Sequence, residues 1–480
     1  MQPQVNVSNR EANMRVSLYI ISDLHLGGAP APDGGHSFQI CPPLTQAALA
    51  AFVGRLPGRQ PDIDCRLVIA GDIVDFLAEQ PFQGFTADPL AACGKLANIF
   101  KHTAPVWDAL RAFVHDRHGA LTLMLGNHDI ELSLPGVRES LLERLGPGRI
   151  DFIYDNEACT IGPVLIEHGN RFDAWNAVPH GALRRVRSQL SRRLAVTPAF
   201  PTLPGSRLVT EVMNPLKQAY PFVDLLKPED AAALPVVAAL GAGSVRDVWR
   251  FFGNFRRQWA IDYDESREPL DETLIDARSD ADQAAYDLAE TLANGGQVAQ
   301  ISAVGNLLAG IGSAVTDQLR AARRDALFTA FHRLRHLHRQ AFAVDQEVDT
   351  YRVPAQRAAQ AGFQVIVYGH THLAKRVALG APGAARPVYL NTGTWADLMR
   401  VPDTVWADDG AASRQALTSF VDDLEGNQLD RWRRAVPTYA RIELDGAAVL
   451  QADVHFADSD DALSSAGLQR RLAGGTDDGH

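Results

Sequence analysis

Val16-Ser17-Leu18-Tyr19-Ile20-Ile21-Ser22-Asp23-Leu24-His25 is an apolar, β-branched run that stops at Ser22 and hands over to Asp23 and, two residues on, His25. A run of that texture predicts a buried strand. The same signature returns at Arg66 to Ala70, followed by Gly71-Asp72-Ile73-Val74-Asp75, and at Leu121 to Leu125, followed by Gly126-Asn127-His128-Asp129. Between them Pro105 to His115 has helical spacing, with Pro in its first turn. Short strands alternating with helical segments predict an α/β layered sheet. Further strands are expected at Thr160 to Glu167, broken by Gly162-Pro163, at Gln364 to Tyr368 and at Val388 to Leu390. A hairpin is expected from Tyr439–Leu444 and Ala447–Phe456, joined at Asp445-Gly446.

Around these strands the composition is that of an ordinary globular chain: 480 residues, 46% hydrophobic and 21% charged. Wholesale disorder and fibrous repeats are excluded. The net charge of -11 disfavours indiscriminate nucleic-acid binding. Cys41, Cys65, Cys93 and Cys159 lie far apart with no C-x-x-C pair, which suits a reducing compartment. The stretch 1–14 is polar and expected to be flexible, and no signal-peptide core follows it, so a cytoplasmic protein is expected. Thr291 to Thr316 carries no charge, yet Asn294, Gly295, Gly296, Gln297, Gln300, Ser302, Asn306 and Ser313 would be costly in lipid. No transmembrane segment is expected, which leaves at most a peripheral membrane or lipid contact. Between residues 176 and 360 the texture turns to Ala, Leu, Arg and Asp at helical spacing, which predicts a helical insertion or cap. The expected core is then 15–175 with 361–456, and 457–480, rich in Asp, Ser and Gly, is expected to be a disordered tail.

The chemistry gathers at strand ends. Two more segments join the three above: Glu167-His168-Gly169-Asn170-Arg171-Phe172-Asp173, and Gly369-His370-Thr371-His372. Functional groups of open α/β sheets collect outside the carboxyl ends of the strands, so these side chains are expected to meet. Asp23, His25, Asp72, Asn127, His168, His370 and His372 are more ligands than one four-coordinate ion needs, which points to two metals. Ions about 3.5–4 Å apart favour a bridging carboxylate, and Asp72 is the choice for it. Mixed imidazole and carboxylate ligation admits Mn, Fe, Zn, Co or Ni. Mn is favoured.

Asp23-x-His25, Gly71-Asp72-x-x-Asp75, Gly126-Asn127-His128-Asp129, His168-Gly169 and Gly369-His370-x-His372, in that order, resemble the motif set of the calcineurin-like metallophosphoesterases. The resemblance implies a four-layer α/β/β/α fold, two mixed sheets packed face to face between helices. It places Asp23, His25, Asp72 and His372 at one metal, and Asp72, Asn127, His168 and His370 at the other. It implies hydrolysis of a phosphodiester, phosphomonoester or pyrophosphate by a metal-bridging hydroxide, with His128 protonating the leaving oxygen and Asp129 orienting that imidazole. Asp75 and Asp173 would hold ligands by hydrogen bonds. Asn170, Arg171 and Asn391 are further candidates for supporting the ligands or binding substrate. Within the family, His168 to Asp173 and Asn391-Thr392-Gly393-Thr394-Trp395 are most similar to the UDP-2,3-diacylglucosamine pyrophosphatase group, whose substrate is a nucleotide-linked lipid.

Two arginine-rich stretches lie within the expected insertion, one near its start containing Arg184 and one towards its end containing Arg335, and both are candidates for gripping phosphates of the substrate. Charged helix faces are more often simply solvated. His332 and His336, four apart, have a spacing compatible with a metal but stand among arginines. A nuclease or cyclic-nucleotide phosphodiesterase is the alternative enzymatic reading, and a non-catalytic interaction scaffold the third.

Overall fold

The computed structural model describes residues 15–28, 38–156, 158–214, 217, 221–227, 324–325, 327–329, 331–332, 335, 338–380, 386–407 and 410–473. They fall into two compact units. One comprises the chain up to residue 210 with 343–397 and 435 onward; the other comprises 211–342 with 398–434.

The first unit holds eleven strands among its described residues. In chain order they are β1 (Arg15–Ile21), β2 (Ile63–Ala70), β3 (Ala120–Met124), β4 (Arg149–Ile153), β5 (Ala158–Ile161), β6 (Val164–Glu167), β7 (Val365–Tyr368), β8 (Lys375–Ala378), β9 (Val388–Asn391), β10 (Thr438–Asp445) and β11 (Ala448–Phe456). They form a six-stranded sheet ordered β11-β10-β1-β2-β3-β4 and a five-stranded sheet ordered β5-β6-β7-β9-β8. In the first, β1 to β4 run parallel and the β10–β11 hairpin antiparallel. In the second, β6, β7 and β9 are parallel, with β5 and β8 antiparallel at the edges.

Because side chains alternate across a strand, each parallel strand buries two apolar sets. Leu18 and Ile20 of β1 and Val68 and Ala70 of β2 cluster with Ile166, Val367 and Leu390 of the other sheet. Tyr19, Ile21, Leu67 and Ile69, on the opposite face, cluster with four helices, α1 (Pro43–Arg55), α2 (Pro89–His102), α3 (Ala104–His115) and α4 (Val137–Leu145). The helices present Phe52, Leu96, Trp107, Phe113 and Leu141 to that cluster. On the second sheet, Ile366, Tyr368 and Tyr389 pack with Tyr351 and Ala355, which lie on a helix spanning Asp349–Gln360. Each such large side chain, fully buried, contributes about 1.5–3 kcal/mol.

The segment boundaries differ from those read in the sequence. Residues 176–210 belong to the first unit, because α5 (His180–Ser191) buries Leu183 and Val186 in the cluster under the first sheet, joined there by Phe200 and Leu203. The helix Asp349–Gln360, hereafter α6, likewise belongs to the core rather than the insertion. Residues 398–434, expected in the core, belong to the second unit. The expected tail contains α7 (Ser465–Ala473), pinned by Leu463 and Leu468 in the cluster between the sheets. Polar composition hid two well-spaced leucines. The stretch 1–14, Thr291 to Thr316, most of the expected insertion and His336 lie outside the described residues.

In the second unit Leu226–Lys227, Leu398–Arg400 and Arg433–Arg434 form a small sheet. The helix Gly410–Glu425 buries Leu417, Phe420, Val421 and Leu424. Arg335 lies in this unit. Among the described residues no helix is long and apolar enough to cross a membrane.

Candidate metal centre

Parallel register puts the carboxyl ends of β1, β2 and β3 side by side, and those of β6 and β7 likewise. The polar segments that follow these strands therefore share one end of each sheet. The backbone there is unusual. Asp23, His25, Asp72, His370 and His372 all have positive φ, between 44° and 69°. Left-handed geometry in such residues costs about 1–3 kcal/mol each and persists only where the surroundings enforce it. Glycines make the close approach possible: a Cβ at Gly126 would lie 2.0 Å from Oδ1 of Asp72, and one at Gly71, itself at φ +89°, 2.6 Å from the His168 ring.

Three overlapping groups of metal-ligating side chains result: Asp23 with His25 and His372, His25 with Asp72 and His128, and Asp72 with His168 and His370. Within each, the ligand atoms lie within 4.8 Å of one another. The His25 and His372 Nε2 atoms are 3.0 Å apart. Two nitrogens about 2.1 Å from one ion, at right angles, are separated by about 3 Å, so this spacing suits a shared ligand as well as a ring-to-ring hydrogen bond. Asp72 belongs to two groups. Its Oδ1 accepts from the His128 amide at 2.8 Å, while Oδ2 lies 3.2 Å from His168 Nε2 and 3.7 Å from His25 Nε2.

Neighbouring groups aim the ligands. Nδ1 of His168 sits 2.8 Å from the Ala70 carbonyl, which can only accept, so this nitrogen carries the hydrogen and the other, in neutral imidazole, keeps its lone pair. Nε2 of His370 is 3.1 Å from Oδ2 of Asp173. The same Asp173 oxygen accepts from Asn176 Nδ2 at 2.7 Å, and Asn176 Oδ1 accepts from Asn127 Nδ2 at 3.3 Å. That arc turns the Asn127 Oδ1 away from its anchor. Among the described residues Asn127 Oδ1, His168 Nε2 and His25 Nδ1 are buried without a hydrogen-bond partner, although His168 Nε2 lies within ion-pair distance of Asp72. Buried lone pairs left unused are rare and each asks for an explanation.

The charges pose the same question. Asp23, Asp72 and Asp75 are 0–4% exposed, and the ion-pair partners of these carboxylates among the described residues are imidazoles. Burial pushes the carboxyl pKa values up, but the imidazoles more than offset it, holding Asp23 at about 2 and Asp72 and Asp75 well below the carboxylate range. Burial lowers His168, yet the Asp72 charge carries it up to about 9. Divalent cations held among these carboxylates would balance their charge.

All seven expected ligands thus lie at this end of the sheets, six in the three groups and Asn127 through its orphaned oxygen. Asp129 is a correction. Its Oδ1 accepts from the Gly126 amide at 2.8 Å and its Oδ2 from the Ile73 amide at 2.7 Å. The His128 ring instead meets Asp75, whose Oδ1 is 3.2 Å from Nδ1. Burial and the Asp72 charge push Asp129 up to about 7. Asp173, expected to support a metal ligand, lies beside the His370 ring. Asn170 Nδ2 donates to the Asn176 carbonyl at 2.8 Å, and Asn391 Nδ2 to the Gly369 carbonyl at 2.8 Å, so both brace site loops. Arg171 pairs with Glu167 at 3.3 Å, and Arg184 is an exposed residue of α5. Trp395 is core, packed on Phe52, while its amide donates to the Asp23 carbonyl at 3.1 Å. Asn176 was not singled out in the sequence, where it read as the first residue of the insertion; only its place three residues after Asp173 hinted at a shared turn.

No family model matches the chain, and searches of curated proteins and of solved structures return no match. The case for a metal centre rests on these residues alone.

Proposed function

We propose that this chain is a dinuclear metal-dependent phosphohydrolase of the calcineurin-like metallophosphoesterase type, with a four-layer α/β/β/α core. The observation that carries the reading is Asp72 shared between ligand groups, set among buried carboxylates and beside buried lone pairs that no group among the described residues satisfies. One apolar cluster between the two sheets, and one on the far face of each, supports the layered fold. Asp23, His25, Asp72 and His372 would hold one ion, and Asp72, Asn127, His168 and His370 the other. When bound, such a pair lowers the pKa of water from 15.7 to about 7 and neutralises charge on the phosphoryl oxygens.

The chain's own residues then have distinct tasks. Asp173 and the Ala70 carbonyl fix the His370 and His168 rings. His128 stands at the open edge: its side chain is 19% exposed, against 1–2% for His25 and His168. With the Asp75 carboxylate beside its ring, it is placed to deliver a proton to the leaving oxygen. The nuclease alternative requires a continuous arginine groove, but Arg187 is committed to the Tyr154 carbonyl at 3.1 Å and Arg192 to Ser188 at 3.0 Å.

The test is metal analysis joined to a hydrolysis panel with Mn, Zn or no metal, on nucleotide-linked lipids, cyclic nucleotides, single-stranded nucleic acid and an aryl phosphodiester. Metal-dependent turnover is expected, and His128→Ala should lose about 100- to 10,000-fold on poor leaving groups and far less on the aryl ester. Absence of stoichiometric metal in cation-supplemented protein overturns the reading.

A further inference from the structure

Beyond its ligands, the Gly369–His372 turn is fastened to a chain of buried polar groups on β9 and on the segment leading into α6. Tyr389 and Asn391 are 0% exposed, Lys375 2% and Glu347 7%. Polar side chains so enclosed persist when they are paired. Tyr389 Oη donates to Oε2 of Glu347 at 2.9 Å and accepts from Nδ2 of Asn391 at 3.3 Å. That same Nδ2, its two hydrogens shared among three acceptors, also donates to the Gly369 carbonyl at 2.8 Å and to Thr371 Oγ1 at 3.1 Å, gripping the turn on both sides of His370. The Gly393 amide donates to Asn391 Oδ1 at 3.0 Å, which fixes how the carboxamide faces. Lys375, its ammonium 2.7 Å from the Ala343 carbonyl, supplies the positive charge acting on Glu347.

The turn needs this hold. His370 and His372 sit at φ 69° and 61°, a conformation that relaxes unless it is over-determined from outside. We infer that Glu347 and Tyr389 are positioning residues of the metal centre, acting through Asn391 to keep the Gly369–His372 turn in the conformation that presents both imidazoles to the ligand cluster. The inference rests on the metal reading above. It adds two residues that touch no ligand atom.

Tyr389→Phe removes one hydroxyl and leaves the ring in place, so it is the decisive variant. Metal-stripped protein titrated calorimetrically with Mn2+ should bind about 10- to 100-fold more weakly than the parent, the size of effect seen when support behind a ligand is lost. The visible spectrum of the Co2+-loaded variant should change as well. Glu347→Leu should weaken Mn2+ binding similarly, while Glu347→Gln, which keeps an acceptor for the hydroxyl, should restore most of it. A merely structural role predicts a lower melting temperature for metal-free Tyr389→Phe with Mn2+ affinity and Co2+ spectrum unchanged; that result overturns the inference alone. Parent protein that takes up neither ion overturns the metal reading and this inference with it.

Discussion

After β2 the chain sets Asp72 at the candidate metal centre and, three residues on, Asp75; after β3 it sets Asn127 and His128 there and next in line Asp129. Each turn therefore has a candidate ligand and a spare aspartate. The two spares are spent differently. Asp129 gives both oxygens to main-chain amides, one in its own turn and one in the turn after β2, and so ties the two turns together. Asp75 accepts from the Leu77 and Ala78 amides at 3.0 and 3.1 Å, and its Oδ1 still meets the His128 ring. Sequence neighbours in an irregular turn point in different directions, so the carboxylate that serves an imidazole is found across space rather than next in line.

The sharpest way to break this contrast is to neutralise each spare without changing its shape. Asp75→Asn keeps an oxygen for the two amides but removes the charge beside His128. Turnover on substrates with poor leaving groups should fall about 100-fold, with the melting temperature little changed, as steady-state kinetics and calorimetry on the same preparation would show. The opposite pattern would return the orienting role to Asp129.

Asp129→Asn should behave inversely. Its new NH2 faces one of two buried amide donors that both need an acceptor, so one is left unsatisfied, at a cost of about 2 kcal/mol in denaturant unfolding. The ratio of turnover on poor and activated leaving groups should stay that of the parent. A changed ratio would mean that Asp129 reaches His128 after all.

The same contrast marks how much was readable beforehand. Strands β1, β2, β3, β6 and β7 announced themselves as apolar runs ending in Asp, Asn or His, and the expectation that those ends meet needed only the parallel order. What stayed hidden depends on side-chain direction or on partners far along the chain. The resemblance pairs His128 with Asp129, next to it in sequence, while Asp75, whose Oδ1 lies 3.2 Å from the ring, is 53 residues away. Asn176 fell at a change of texture and was assigned to the insertion, although it joins Asp173 to Asn127. Tyr389 lies in the apolar run Val388–Leu390 and Glu347 among Asp345, Gln346 and Asp349, so neither stands out in the sequence; the hydrogen bonds from Tyr389 to Glu347 and from Asn391 to Tyr389 reveal the pair. Strands β4 and β8 were missed because Arg149–Ile153 and Lys375–Ala378 carry charges that dilute the β-like pattern.

The two turns also end on a buried glutamate each, and here they should behave alike. Glu79, 2% exposed, accepts from the Gly28 amide at 2.9 Å; Glu131, 1% exposed, accepts from the Thr86 amide at 2.7 Å. Lys95 lies nearby, its Nζ donating to Thr86 Oγ1 at 2.9 Å and to the Phe76 carbonyl at 3.4 Å. Burial, only partly opposed by these amides and by the Lys95 charge, pushes both carboxyls up to about 7. The folded chain thus keeps protons that the unfolded chain releases near pH 4.5, so this contribution is full below that value and is lost as pH rises through about 7. Glu131→Gln mimics the protonated form and still offers an oxygen to Thr86. Its melting temperature should therefore fall less than the parent's between pH 5 and 8, with a gain on the order of 1 kcal/mol at the upper end. Parallel curves for the two proteins would mean that Glu131 is already ionised in the fold and that Lys95 is paired with it, which would make the two turns unlike in this respect too.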